Sequence, residues 1–280
     1  MINQKILKSI SQQYEITNQC LLLLYCTVLN IRSIRFTHVY QVGISNLFCM
    51  IDYQKLFRTK DVDLIKEFPG HTRKELREMK SKIPISALKV LVFDIETAQM
   101  KVKVWQLRGN EYIEPTRILE DWFMVCWAGK WLNGKSIGDR LTPREAKACN
   151  DKRIIKSLWS ALNEADIVIE HNGDDFDIKK ANTRFLKYGA ELPKYYKTID
   201  TLKLLRKNFR ISSNKLDYAC KFIGVGGKLS TGGIELWDKS ELGDEQALSK
   251  MFRYCLNDVK ITEKLFLKLI PYIKNLNLTI

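Results

Sequence analysis

The chain has 280 residues, 45% of them hydrophobic and 28% charged, which excludes a disordered or fibrous polypeptide and allows one large core plus an appendage. A formal charge of +14 and an isoelectric point near 9.4 favour an anionic partner, of which nucleic acid is the commonest. Seven cysteines without a Cys-x-x-Cys pair argue against a disulfide framework or a zinc finger, and three scattered histidines against a His-rich zinc site. Any catalytic metal should therefore be held by oxygen, which suits Mg²⁺ or Mn²⁺.

Residues 1–49 carry four basic residues and one acid, Glu15, and show no sustained period of 2 or 3.6. They read as an N-terminal extension to which no element is assigned; an equal reading starts the functional product at Met50. The apolar stretch Cys20 to Ile31 spans about half of the ~20 residues a membrane helix needs and lacks a clear cleavage motif. A soluble intracellular protein without a membrane partner is expected, in cytoplasm or nucleoid, a virus or phage being one source.

Residues 50–84 form a small helical segment. Predicted helices cover Tyr53 to Phe57, Asp61 to Phe68 with Asp61 as N-cap, and Thr72 to Ile83 after a Pro69-Gly70 break. Thr72 and Glu75 make the Thr-x-x-Glu spacing of a capping box. The basic last helix, with Arg73, Lys74, Arg77, Lys80 and Lys82, allows a helix-turn-helix that faces DNA and equally a solvated helical hairpin.

From residue 85 to 280 apolar strands alternate with amphipathic helices, which is the pattern of a mixed α/β domain. Lys89 to Phe93 is a predicted buried strand, Trp122 to Ala128 another with a hairpin partner beginning at Trp131, and Ile167 to Ile169 a third. Helices are expected over Asp151 to Glu164, Asp177 to Tyr188 with Gly189 as its stop, and Leu248 to Leu269; Ile199 to Leu205 and Leu216 to Phe222 are further short elements.

Carboxylates fall at three informative places. The first strand runs into Asp94-Ile95-Glu96; side chains alternate along a strand, so the two acids share a face, where they repel unless a cation neutralises them. Asn172-Gly173-Asp174-Asp175-Phe176-Asp177 follows the third strand, at the kind of strand end where α/β sites gather; Asp177 opens a helix, while Asp174 and Asp175 read as solvated or capping. Tyr254 and Asp258 lie four apart in the last helix and so project from one face.

In that order, Asp-x-Glu after a strand, Asn-x-x-x-Phe-Asp and Tyr-x-x-x-Asp resemble the three motifs of the DEDD superfamily of 3′→5′ exonucleases on a ribonuclease H-like fold, over about residues 87–272. Arg253 stands five before Asp258, where the histidine branch has His, so the chain resembles the tyrosine branch. The Lys228 to Trp237 stretch is similar to stand-alone and phage exonucleases related to the proofreading domain of family B DNA polymerases. The resemblance implies a mixed five-stranded sheet flanked by helices. It also implies two divalent cations, Mg²⁺ or Mn²⁺, held by Asp94, Glu96, Asp177 and Asp258, with Asp94 bridging. Tyr254 would orient the attacking water, since a phenol with pKa near 10 is a poor base at neutral pH.

Nucleic-acid contacts are expected at Thr97, Asn172, Phe176 and Lys228. Phe176 reads first as a core residue and Lys228 equally as a solvated lysine on a Gly-rich loop. The expected substrate is a single-stranded 3′ end, DNA before RNA, degraded to nucleoside 5′-monophosphates, with replication or repair proteins as partners. Two other readings keep the sequence: an endonuclease on the same fold, and a non-catalytic nucleic-acid-binding protein.

Overall fold

In the computed structural model, residues 51–106 and 112–273 are described. The chain divides into two compact units, 1–52 and 53–280. All the elements named below belong to the second unit, and the predicted extension over residues 1–49 lies outside the described residues.

Three short helices open this unit, α1 (Tyr53–Arg58), α2 (Leu64–Glu67) and α3 (Arg73–Ser81), and each buries one leucine completely: Leu56, Leu64 and Leu76. The capping box starts α3: Thr72 Oγ1 accepts from the Glu75 amide and the Glu75 carboxylate from the Thr72 amide. Asp61 does not cap a helix. Its carboxylate is drawn instead to Arg77 (2.8 Å) and Lys80 (3.7 Å) of α3, so residues 61–63 form a turn and α2 starts only at Leu64. Lys82 is likewise paired, with Glu78 at 2.6 Å. Part of the charge on the basic helix is thus paired at the surface with acids of the same segment.

Five strands make the main sheet in the order β5 (Ser136–Arg140), β4 (Met124–Trp131), β1 (Val90–Thr97), β6 (Ile167–Glu170) and β7 (Lys197–Asp200). β1 runs antiparallel to β4 and parallel to β6, and β6 parallel to β7. A separate two-stranded ribbon pairs β2 (Lys101–Val102) with β3 (Ile118–Glu120). The sheet and its flanking helices are the predicted ribonuclease H-like α/β architecture. One boundary differs: Trp131 ends β4 instead of opening its partner, because the chain turns through Asn133 (φ 59°) and resumes as β5 at Ser136. β6 is buried on both faces, which explains its unbroken apolar run.

The flanking helices are α4 (Pro143–Lys147), α5 (Lys152–Glu164), α6 (Asp177–Lys187), α7 (Thr201–Asn208), α8 (Leu216–Ile223), α9 (Glu235–Glu241) and α10 (Glu245–Leu269). α6 stops before Gly189, whose φ of +66° is the left-handed conformation glycine adopts at no cost. α10 begins three residues earlier than its periodicity suggests, because Asp244 caps it by accepting from the Ala247 amide at 2.7 Å.

Along α10 the residues spaced three and four apart, Cys255, Val259, Thr262, Phe266 and Leu269, are buried, but so are Tyr254, Asp258, Ile261 and Leu265 beside them. The helix packs on β1 and β4 with one side and meets α8 and α7 with the other, so its buried face is wider than one stripe. A polar pair lies inside the fold: Arg184 Nη2 of α6 donates to the fully buried Asp151 carboxylate, which also takes the Met124 amide at 2.8 Å. Among the described cysteines, Cys126, Cys220 and Cys255 are buried and Cys149 half-buried, all as free thiols.

Candidate metal centre

β1 and α10 converge on one spot. Alternation along β1 puts Asp94 and Glu96 on the side packed by α10, where Asp258 projects; the three residues each offer a carboxylate oxygen, all within 4.8 Å of one another. Asp258 is 1% exposed. Its Oδ2 accepts from Lys228 Nζ at 2.5 Å, while Oδ1 is buried with no hydrogen-bond partner. A buried carboxylate oxygen left unsatisfied costs on the order of 1–3 kcal/mol or more, so this atom needs a cation or a proton. An all-oxygen donor set suits a hard divalent ion, and these residues therefore fit the metal that the acid pattern implies.

Asp177 stands apart from that trio. β6 pairs with β1 only as far as Val92, so the Ile95 amide is taken by Asp177 Oδ1 at 3.0 Å instead. That bond fixes the start of α6 against β1, and a carboxylate in the first helical turn also suits the helix dipole. Asp177 is buried, whereas Asp174 pairs with Lys203 and Asp175 with Lys179, both at 2.8 Å. Of these three acids Asp177 is the one directed at β1.

Crowding shows in the acidities. Burial, and then the charges of Asp177, Glu96 and Asp258, lift Asp94 well above the ordinary carboxylate range. Burial raises Glu96 to about 8, against the pull of Lys228. Asp177 reaches about 7, again mainly through burial, with the Ile95 amide opposing; Asp258 rises for the same first reason, restrained by Lys228. Without a cation the four acids cannot all ionise at neutral pH, and a bound divalent ion removes that obstacle.

Tyr254 lies one helical turn before Asp258. Its hydroxyl accepts from Lys228 Nζ at 2.9 Å, and its ring packs edge-on against Trp237 with centroids 6.1 Å apart. Lys228, read from sequence equally as a phosphate contact or a solvated side chain, is neither free nor fully exposed: it bridges Tyr254 and Asp258. Thr97 is half-buried at the end of β1, next to a register shift in the β1–β4 ladder.

Asn172 is exposed with φ 67°, its amide held by Asp200 at 2.9 Å. Phe176, expected in the core, is 40% exposed. It sits at the N-cap of α6 with φ −120° and ψ −74°, a turn geometry that aims the ring outward, near the Lys180 ammonium at 5.5 Å.

Three neighbours of the site escape the sequence motifs. The Cys255 thiol donates to the Asp94 main-chain carbonyl (3.3 Å) and carboxylate (3.4 Å). Trp237 supports the Tyr254 ring. Glu170, at the end of β6 and opposite Asp200 in register, is fully buried with both oxygens unpartnered, and burial together with Asp174 and Asp200 keeps its acidity well below normal. An acid closing an apolar strand was the one available signal for it.

A five-stranded mixed sheet that gathers acids at the end of its central strand defines a ribonuclease H-like α/β protein. The chain belongs to the RNase H superfamily: the profile RNase_H_2, RNase_H superfamily, matches residues 119–270. That match includes Asp177, Tyr254 and Asp258 and starts after Asp94 and Glu96. Among solved structures, the family B DNA polymerase from the hyperthermophilic archaeon Pyrobaculum calidifontis is similar, with 23% identity and a TM-score of 0.48 over 66% of this chain and 25% of the polymerase. The chain therefore spans about a quarter of the length of that protein. No curated protein sequence matches it. No helix among the described residues is long and apolar enough to cross a membrane.

Proposed function

We propose that this chain is a metal-dependent 3′→5′ exonuclease that acts on single-stranded ends, DNA in preference to RNA, and releases nucleoside 5′-monophosphates. The observation that carries the reading is the meeting of Asp94, Glu96 and Asp258 within 4.8 Å, with Tyr254 beside them and Asp177 bonded to the strand between the first two. The order of those residues in the sequence, Asp-x-Glu, then Asn-x-x-x-Phe-Asp, then Tyr-x-x-x-Asp, supports the tyrosine branch of the DEDD exonucleases.

Asp94, Glu96, Asp177 and Asp258 would hold two divalent cations, Mg²⁺ or Mn²⁺, which when bound supply an activated water and stabilise the departing 3′ oxygen. The protein's own part is positioning. Tyr254, with burial raising its pKa further, stays protonated and can orient a water without deprotonating it. Lys228 would meet a phosphate oxygen when a strand enters, exchanging its bonds to Tyr254 and Asp258 for that contact. The exposed Phe176 ring and the Asn172 side chain offer stacking and hydrogen bonding to the terminal nucleotides, with Thr97 at the strand end. Replication or repair proteins are the partners such an enzyme would serve.

The test uses 5′-end-labelled single-stranded DNA and RNA of one sequence. A ladder shortened one nucleotide at a time from the 3′ end, abolished by chelation and reduced about a thousandfold or more in Asp94→Ala, is expected, since removing a charge-stabilising ligand forfeits several kcal/mol. Internal cuts would replace this reading with an endonuclease, and metal-independent binding without cleavage with a non-catalytic protein.

A further inference from the structure

A concave site lies at the beginnings of the sheet's parallel strands. A pocket of about 360 Å³ opens between α3 and the beginnings of β6 and β7, and its lining includes Arg77, Lys80, Lys197, Asp61, Ile167 and Tyr195. Ile167 and Lys197 are register partners at the first positions of β6 and β7, and Ile167 pairs with Val90 at the start of β1. The carboxylates begin four residues further along β1, at Asp94. At ~3.3 Å per residue that separation is about 13 Å along the strand alone.

Charge in the pocket is one-sided. Its lining holds three cations, Arg77, Lys80 and Lys197, against one acid, Asp61. The Asp61 carboxylate is engaged by Arg77 at 2.8 Å, with the Lys80 amine further off at 3.7 Å, and Lys80 Nζ is held in place by the Thr59 carbonyl at 2.7 Å. Burial lowers the Lys80 pKa, Asp61 opposes it, and the Lys197 amine adds a smaller lowering. Two ammonium groups near one another, one of them anchored and part-buried, make a cradle for a doubly charged oxyanion. Ile167 lies fully buried beneath the site, and Tyr195 is 52% exposed beside it, its ring a flat face on which a base can stack.

We propose that this pocket binds one nucleotide unit, its phosphate on Lys80, Lys197 and Arg77 and its base against Tyr195, either as a free mononucleotide or as a nucleotide within a strand. The volume falls within the range of small-molecule sites. This binding is separate from the carboxylate centre and needs no metal. It also gives the basic helix α3 a task that its charge pattern alone did not define.

The test is calorimetric titration of the full chain in EDTA and low salt with thymidine 5′-monophosphate, inorganic phosphate and a ten-residue oligothymidylate. Lys197 and Tyr195 are exposed, so Lys197→Glu and Tyr195→Ala should fold, which thermal melting checks. Lys197→Glu should weaken the mononucleotide and phosphate about tenfold or more. Tyr195→Ala should weaken the mononucleotide roughly fivefold or more and leave phosphate unchanged. Asp94→Ala should alter neither.

If wild type binds only the oligonucleotide, and both pocket variants weaken it, the occupant is a unit of a strand. If both variants bind every probe as wild type does, or wild type binds none, the pocket assignment is wrong. Because no metal is present, failure here leaves the exonuclease assay unaffected.

Discussion

Glu96→Gln should make the metal-free protein more stable while destroying its metal site, and the gain should depend on pH with a defined sign. Glu96 titrates near 8 in the folded chain against 4.5 ordinarily, chiefly through burial, with Asp258 and Asp177 adding to it. Below about pH 4.5 the residue is protonated folded and unfolded, so it contributes nothing. From there to about 8 the unfolded chain has lost a proton that the folded chain keeps, and stability falls as pH rises.

At 1.36 kcal/mol per pH unit that interval bounds the cost at about 5 kcal/mol. Glu96 is only half-buried and its neighbouring acids relax as any one of them protonates, so about 2–3 kcal/mol is the expected gain for the neutral amide at pH 8. At pH 5 the gain should shrink to under about 1 kcal/mol. For a unit of this size 1 kcal/mol moves Tm by about 2–4 °C. Calorimetric melting in EDTA should therefore place the variant roughly 5–10 °C above wild type at pH 8 and nearly level with it at pH 5. Adding Mn²⁺ should raise the wild-type Tm and move the variant much less. A variant melting below wild type at pH 8 in EDTA, or a gap that does not depend on pH, would refute the claim that burial, with the neighbouring acids adding to it, penalises the Glu96 charge in the folded chain.

Tyr254→Phe keeps the ring against Trp237 and removes only the hydroxyl; turnover should drop about 10- to 100-fold, the scale of a misplaced reactant, with Mn²⁺ affinity by titration unchanged. Loss of metal binding instead would make Tyr254 a ligand-positioning residue. Arg184→Ala strands the buried Asp151 charge, and urea unfolding should show a loss of about 3–5 kcal/mol, partly recovered by Asp151→Asn in the double variant. Gly138→Ala would bring its Cβ to 2.6 Å from the Trp127 carbonyl and 2.8 Å from the Phe252 ring. Since the backbone cannot retreat, a loss of about 2 kcal/mol or more is expected; a neutral result would mean that β4 and β5 slide apart easily.

What the sequence discloses about this site is set by the range of the physical regularity that encodes it. Asp94 and Glu96 share a face because a strand repeats every two residues, and Tyr254 with Asp258 because a helix repeats every 3.6; both relations are local and hold in the structure. Phe176 is different. It occupies a turn between strand and helix, where no period fixes direction, and so a reading from its apolar character alone placed it in the core.

Lys228 and Glu170 show the other limit. Lys228 reaches Asp258 across 30 residues of chain and a Gly-rich loop, and Glu170 is buried where β6–β7 register brings it opposite Asp200, a pairing that only tertiary structure determines. Both are ionisable groups whose state depends on burial and on partners that the fold brings to them, whereas composition predicts only that charges prefer water. That explains why the pairing of Asp94 with Glu96 and of Tyr254 with Asp258 on shared faces could be read from spacing while the residues that tune their charge could not, and why the sign of the Glu96→Gln effect follows from the fold rather than from the motif.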